Sequence, residues 1–164
     1  MKAQGVARHF GTTIDIFQPT YSLVKRQVEV ELFPMAISEN INVASYSPLG
    51  SGLLTGKYMN GGVGRLVSDT RYAVRYGHNW MNDVAANLAK LADEMDMDPA
   101  TLAVAWAAHH PAVTAPIISA RNVQQLVPSL KANNITLTAG IYARMEALSP
   151  RPAPATDRLE EASS

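Results

Sequence analysis

Short β-prone runs alternate along this chain with segments whose apolar residues recur at helical spacing, and that alternation is the tightest constraint on its fold. Residues 14–17 read as a strand stopped at Gln18-Pro19. Val28, Leu32, Met35 and Ala36 then fall at helical spacing, with Pro34 expected to bend or interrupt that helix. Residues 41–46 read as a second strand, running into Ser47-Pro48-Leu49-Gly50-Ser51-Gly52. A glycine-rich stretch at 60–64 opens what reads as a long polar connection to about Asn79. Val84, Leu88, Leu91 and Met95 share one helical stripe and predict a helix over 83–96. Asp98-Pro99 pairs a capping carboxylate with proline at the first helical position, and Leu102, Ala105, Trp106 and His109 share a face of the helix it opens. Residues 113–118 read as a third strand, made irregular by Pro116, and Asn122 with Gln125 resembles a capping box.

Strands separated by helices imply a parallel sheet. Three strands close nothing, and a (β/α)8 barrel takes more than about 200 residues against the 164 present. The expectation is an α/β chain that forms part of a TIM barrel, an incomplete (β/α)8 architecture over 1–148. The remainder, 149–164, reads as a Pro-rich disordered tail.

Composition narrows the function. With 14 basic and 14 acidic side chains the formal net charge is zero, which gives no electrostatic case for nucleic acid or an acidic membrane. There is no cysteine, so disulfides, thiolate metal sites and cysteine nucleophiles are excluded. The longest apolar stretch, 102–108, is too short to cross a bilayer, and the first residues lack the apolar segment of a signal peptide. The expected location is cytoplasmic. His109 and His110 are adjacent, and His9 and His78 have no ligand-type residue at metal spacing, so no metal is expected. Glu29, Glu31, Asp93, Glu94 and Asp96 read as solvated faces.

Three segments carry candidate chemistry. In Pro116-Ile117-Ile118-Ser119-Ala120-Arg121-Asn122, small residues let backbone N–H groups approach an anion. The helix behind them points its positive end there, and Arg121 adds a cationic fork; a capped surface helix with a solvated arginine fits as well. Residues 46–58 leave a strand at its carboxyl end, where α/β folds place ligands. There Gly50, Gly52 and Gly56 allow close wrapping and Lys57 supplies a point charge, although an ordinary glycine-rich loop reads the same way. At Gln18-Pro19-Thr20-Tyr21, the ring is either the floor of a pocket for a flat heterocycle or a core tyrosine with its hydroxyl satisfied. The residue chemistry amounts to an anion cradle without acid/base machinery.

The runs Gln18-Pro19-Thr20-Tyr21-Ser22-Leu23-Val24-x-Arg26, Ser45 through Tyr58, Leu102-Ala103-Val104-Ala105-Trp106 and Ala115 through Asn122 resemble, in order and spacing, the aldo-keto reductases. The similarity covers about residues 1–150 and is nearest to members resembling aryl-alcohol dehydrogenases and potassium-channel β subunits. The resemblance implies a (β/α)8 barrel that moves hydride between NADPH and a carbonyl or alcohol, of which this chain covers the last three strands. It implies that Tyr21 stacks on the nicotinamide and Gln18 bonds its carboxamide. Tyr46, Ser47, Pro48, Leu49, Gly50 and Ser51 would wrap the pyrophosphate with Lys57, while Ser119, Arg121 and Gln125 hold the adenosine end, Arg121 facing the 2′-phosphate. NADP is therefore the expected cofactor. Ser119 stands where many members have glycine, and Pro128 with Ser129 replaces a Glu-Asn pair that grips adenine in some members.

The family's catalytic aspartate, tyrosine, lysine and histidine lie on its first four strands, so the resemblance leaves no catalytic residue here. The expected function is the NADP(H)-binding portion of an oxidoreductase, inactive alone and completed by self-association or a complementary N-terminal piece. A non-enzymatic NADP-binding sensor or scaffold, or a decayed reductase fragment, is the alternative. Arg71, Tyr72, Tyr76 and Trp80 in the 60–80 connection are candidate contributors to a substrate pocket.

Overall fold

The computed structural model describes residues 2–154; the part of the expected tail at 155–164 lies outside them. Strands β1 (Ile16–Phe17), β2 (Asn42–Tyr46) and β3 (Ala115–Ile117) form one parallel sheet in the order β1-β2-β3. Ile16 lies opposite Asn42, and Ala44, Ser45 and Tyr46 lie opposite Ala115, Pro116 and Ile117. Pro116 is tolerated because β3 has no second neighbour among the described residues, and an edge strand can spare one N–H.

Among the described residues the α-helices are α1 (Lys2–His9), α2 (Leu32–Ser38), α3 (Arg65–Ser68), α4 (Thr70–Tyr76), α5 (Asn79–Glu94), α6 (Pro99–His109), α7 (Val123–Lys131) and α8 (Ala139–Glu146), with short 3-10 turns at Gln27–Glu29, Gly50–Thr55, Lys57–Asn60 and Ala132–Asn134. Pro34 does not break α2. It is the third helical residue, where its missing N–H would have had no partner within the helix. The polar connection expected over 60–79 instead contains α3 and α4, the latter capped by the Asp69 carboxylate accepting from Arg71 N–H. The helix expected over 83–96 begins earlier, at Asn79, and buries Met81, Val84, Ala85, Leu88, Leu91 and Ala92.

Asp98 caps α6 as its sequence implies, accepting from Ala100 N–H at 2.8 Å. The single apolar face expected there is replaced by burial on all sides from Ala100 to Ala107, the behaviour of a helix enclosed by its neighbours. Thr101 turns its hydroxyl onto the Pro128 carbonyl at 2.7 Å, which ties α6 to α7.

Strand alternation separates the two faces of the sheet. Val43 and Ser45 point beneath the helices and are buried, whereas Ile16, Tyr46 and Ile117 remain 56%, 39% and 40% exposed. Among the described residues the helices therefore cover one face and leave the other bare, although parallel sheets are ordinarily covered on both.

Candidate functional site

The carboxyl end of β2 is bonded to the segment after β1. Tyr46 N–H donates to the Pro19 carbonyl at 2.9 Å, and Tyr21 N–H donates to the Tyr46 carbonyl at 3.0 Å. Beyond Tyr46 the backbone turns left-handed at Ser47, Gly50, Ser51 and Gly52, with φ of 60°, 53°, 58° and 87°. Gly50 is required twice over. Its φ suits glycine, and a Cβ there would lie 2.9 Å from Val24 Cγ2. Gly52 leaves room for Lys57, whose Nζ lies 3.0 Å from the place of a Gly52 Cβ and 4.8 Å from the Tyr58 ring centroid. Pro48 is buried under this turn, and Ser47, Leu49 and Ser51 are half-exposed along it. Among the described residues no carboxylate pairs with Lys57.

The turn after β3 is exposed at Ser119, Ala120 and Arg121. Asn122 caps α7 by accepting from Gln125 N–H at 3.0 Å, while Gln125 Oε1 accepts from Arg121 N–H at 3.2 Å. The box is thus displaced by one residue: the reciprocal bond reaches Arg121 rather than the cap itself. The Arg121 guanidinium has no ion-pair partner among the described residues and faces solvent. Ser129 is buried, and the Pro128 carbonyl accepts from the Thr101 hydroxyl.

Tyr21 is elsewhere. Its ring is wholly buried, stacked on Trp106 at 4.9 Å and edge-on to Phe33 and His110. No face remains for a nicotinamide, so that expectation is corrected in favour of a core tyrosine. The exposed aromatic ring at this end of the sheet is Tyr46, on the bare face beside Ile117. Gln18, two residues beyond Ile16, is also exposed, and alternation puts it on that same face.

Glu29, expected as a solvated carboxylate, is instead part of an ion network beneath the site. It accepts from Arg26 Nε at 2.8 Å, from Arg26 Nη2 at 2.9 Å and from the Tyr21 hydroxyl at 2.8 Å. Glu146 completes the group, accepting from Arg26 Nη2 at 2.7 Å and from Trp106 Nε1 at 3.1 Å. Burial opposes the Arg26 charge, yet the two carboxylates outweigh it and hold the guanidinium above its usual pKa. Burial, then Glu29, raises Tyr21, and burial with Glu146 pushes Tyr142 up to about 12. Arg26, Tyr21 and Tyr142 are thereby held in one protonation state near neutrality, which suits a structural clasp. The three-residue spacing of Arg26 and Glu29 was visible in the sequence; Glu146, 120 residues distant, carried no local signal.

Among the described residues no group of three His, Asp or Glu side chains is placed to hold a metal, and no helix is long and apolar enough to cross a membrane. The sequence profile of the aldo/keto reductase family matches residues 1–150. The chain belongs to the aldo/keto reductase family. This is an oxidoreductase family that generally uses NADP(H).

The chain is also similar to individual proteins. The chain is 35% identical over 127 residues to the "Probable voltage-gated potassium channel subunit beta" of Arabidopsis thaliana, covering 72% of this chain and 38% of that protein. It is 34% identical over 139 residues to the "Uncharacterized oxidoreductase YrpG" of Bacillus subtilis, covering 82% and 40%. It is 29% identical over 143 residues to "Protein tas" of Escherichia coli, covering 86% and 41%. The chain spans about two-fifths of the length of these relatives.

Proposed function

We propose that this chain is the NADP(H)-holding sector of an aldo/keto reductase barrel, and that it depends on residues outside it for chemistry. Three parallel strands in sequential order, with helices on one face and the other bare, are what one arc of a (β/α)8 barrel looks like. The observation that carries the coenzyme reading is the pair of turns after β2 and β3. Neighbouring strands deliver two cations that have no acidic partner among the described residues, Lys57 and Arg121, one beside a left-handed turn and the other at the start of α7.

These residues fit a phosphorylated dinucleotide. Gly50 keeps the 47–51 backbone low enough for a pyrophosphate to approach, and Lys57 supplies the countercharge. Arg121 presents a planar fork suited to a 2′-phosphate, with Ser119 and Gln125 beside it. Tyr46, rather than Tyr21, offers a ring face to the nicotinamide, and Gln18 an amide for its carboxamide. The bound coenzyme would supply or accept hydride. This chain's own residues bind and orient it, and no described side chain is arranged to move a proton to a carbonyl.

The deciding experiment titrates the purified chain with NADPH and NADH by calorimetry and then assays carbonyl reduction. NADPH binding, weakened at least about tenfold by Arg121→Ala while NADH is unaffected, together with no turnover, supports the reading. Absence of NADPH binding refutes the grip, and turnover by the chain alone refutes its dependence on outside residues.

A further inference from the structure

A continuous row of aromatic rings runs from the end of β1 to the surface between α6 and α8. Tyr21 stacks on Trp106 with 4.9 Å between centroids and 27° between planes, and Trp106 stacks on Tyr142 at 6.3 Å and 15°. The His109 ring lies 4.6 Å beyond Tyr142. Tyr21 and Trp106 are wholly buried, Tyr142 is half-buried and His109 is exposed, so the row has one dry end and one wet end. Tyr21 N–H donates to the Tyr46 carbonyl, which puts the dry end directly behind the turn after β2. Among the described residues Tyr46, Tyr58, Tyr72, Tyr76 and Trp80 make no ring contact with the row.

Each oxidisable ring of the row also has a carboxylate at its polar hydrogen. The Tyr21 hydroxyl donates to Glu29 at 2.8 Å, and Trp106 Nε1 donates to Glu146 at 3.1 Å. Tyr142 lies one helical turn before Glu146 on the same face of α8, and burial, then Glu146, keeps its hydroxyl protonated. Loss of one electron makes a phenol O–H or an indole N–H strongly acidic, so oxidation is eased where a base already holds that hydrogen. Core packing accounts for stacked rings. It does not require an unbroken path of tyrosine and tryptophan to solvent with a base at each buried step.

We propose that Tyr21, Trp106 and Tyr142 form a radical relay that drains an oxidising equivalent from the core to a thiol in solvent. The oxidant is of the peroxyl-radical class; it gains one electron, takes a proton from water and becomes a hydroperoxide. Trp106 supplies the electron as its Nε1 proton passes to Glu146. Tyr142 then refills the indole with one electron while Glu146 returns the proton to Nε1, and the Tyr142 hydroxyl proton leaves to water. A thiol restores Tyr142 by giving up one hydrogen atom and is left as a thiyl radical. An electron lost from Tyr21, whose proton Glu29 holds, is replaced from Trp106 as Glu29 returns that proton. The net change is one hydrogen atom moved from thiol to peroxyl radical. The relay rests on ring geometry and is independent of the coenzyme reading.

The test injects the oxidising equivalent at a chosen place. The chain has no cysteine, so His109→Cys gives one attachment point for a ruthenium(II) polypyridyl label, oxidised by a laser flash with a cobalt(III) ammine quencher. Of the two tryptophans, Trp80 is removed by Trp80→Phe, which makes Trp106 the sole indole. Transient absorption of this labelled parent should end on a tyrosyl radical. With Tyr142→Phe added, an indolyl radical should form and convert to a tyrosyl radical on Tyr21. That radical should outlive the parent's several-fold in added glutathione, because it is sealed in the core. Adding Tyr21→Phe as well should stop the sequence at the indolyl radical, and Glu146→Gln should shrink the solvent deuterium isotope effect on indolyl formation, which a merely structural carboxylate would not. A tyrosyl signal undiminished without Tyr21 and Tyr142, or no indolyl radical in the Tyr142→Phe chain, overturns the relay. Equal lifetimes in glutathione with and without Tyr142 overturn drainage to solvent. If Tyr21→Phe fails to fold by circular dichroism, the half-buried Tyr142→Phe decides the matter through its indolyl radical and its glutathione lifetime.

Discussion

The Tyr21 hydroxyl donates to Glu29 at 2.8 Å, and this bond anchors a ring that lies entirely inside the molecule. Glu29 in turn shares Arg26 with Glu146, so a clasp at the end of β1 is joined to α8, 120 residues away. Glu29→Gln should cost about 2 kcal/mol, because Arg26 keeps Glu146 but loses half of its compensation. Tyr21→Phe should cost about 1 kcal/mol, since Arg26 still satisfies the carboxylate. Urea unfolding of the two variants checks the order.

Tyr46 and Tyr21 are expected to part company in coenzyme binding. Tyr46→Ala removes the exposed ring on the bare face and should weaken NADPH by about tenfold, the scale of a stacking contact. Tyr21→Phe should leave NADPH affinity unchanged while lowering the unfolding midpoint. Equal losses of affinity in both variants would show that the ring contact is misplaced.

Gly50→Ala combines a left-handed backbone with an approach of 2.9 Å to Val24. It should destabilise the chain by about 1–3 kcal/mol and weaken NADPH by displacing the loop. Adding Val24→Ala relieves the collision but not the backbone conformation. The double variant should therefore recover only part of the loss, measured by thermal melts and NADPH titration together.

His110 is expected to make stability depend on pH. Burial lowers its pKa beneath the ordinary 6.5, with Glu29 and Glu146 opposing and Arg26 assisting. Its Nδ1 accepts from Ala112 N–H at 3.2 Å, a bond that requires the unprotonated nitrogen. As pH falls below about 6.5 the unfolded chain takes up this proton before the folded one does. Stability is thus intact above that pH and declines toward the lower folded-state value. His110→Gln should flatten the fall in urea midpoint that sets in below about pH 6.5, leaving any carboxylate-driven loss at lower pH.

Local patterns were legible where the cause is local. The Asp98-Pro99 and Asn122 caps depend on side chains reaching N–H groups two or three residues away, and both are found. The second strand was expected from 41 and is assigned from Asn42. The two short helices at 65–76 escaped notice because glycine, arginine and exposed valine give no apolar stripe; they are held through Tyr72, Leu66 and Tyr76. Helix α8 was likewise missed. Its buried anchor, Met145, is a single residue amid polar and small neighbours.

By itself the sequence determined the alternation of strand and helix, the glycine and serine turns at the strand ends, and the family to which they correspond. These are properties of neighbours along the chain, set by side-chain periodicity and by the few residues that tolerate a left-handed backbone. Only the tertiary structure decided which tyrosine is core and which meets solvent, and that Glu29 joins a clasp. Both depend on which face of the sheet the helices cover and on what distant segments bring to it. Burial is a relation between residues far apart, and no single stretch of sequence contains it.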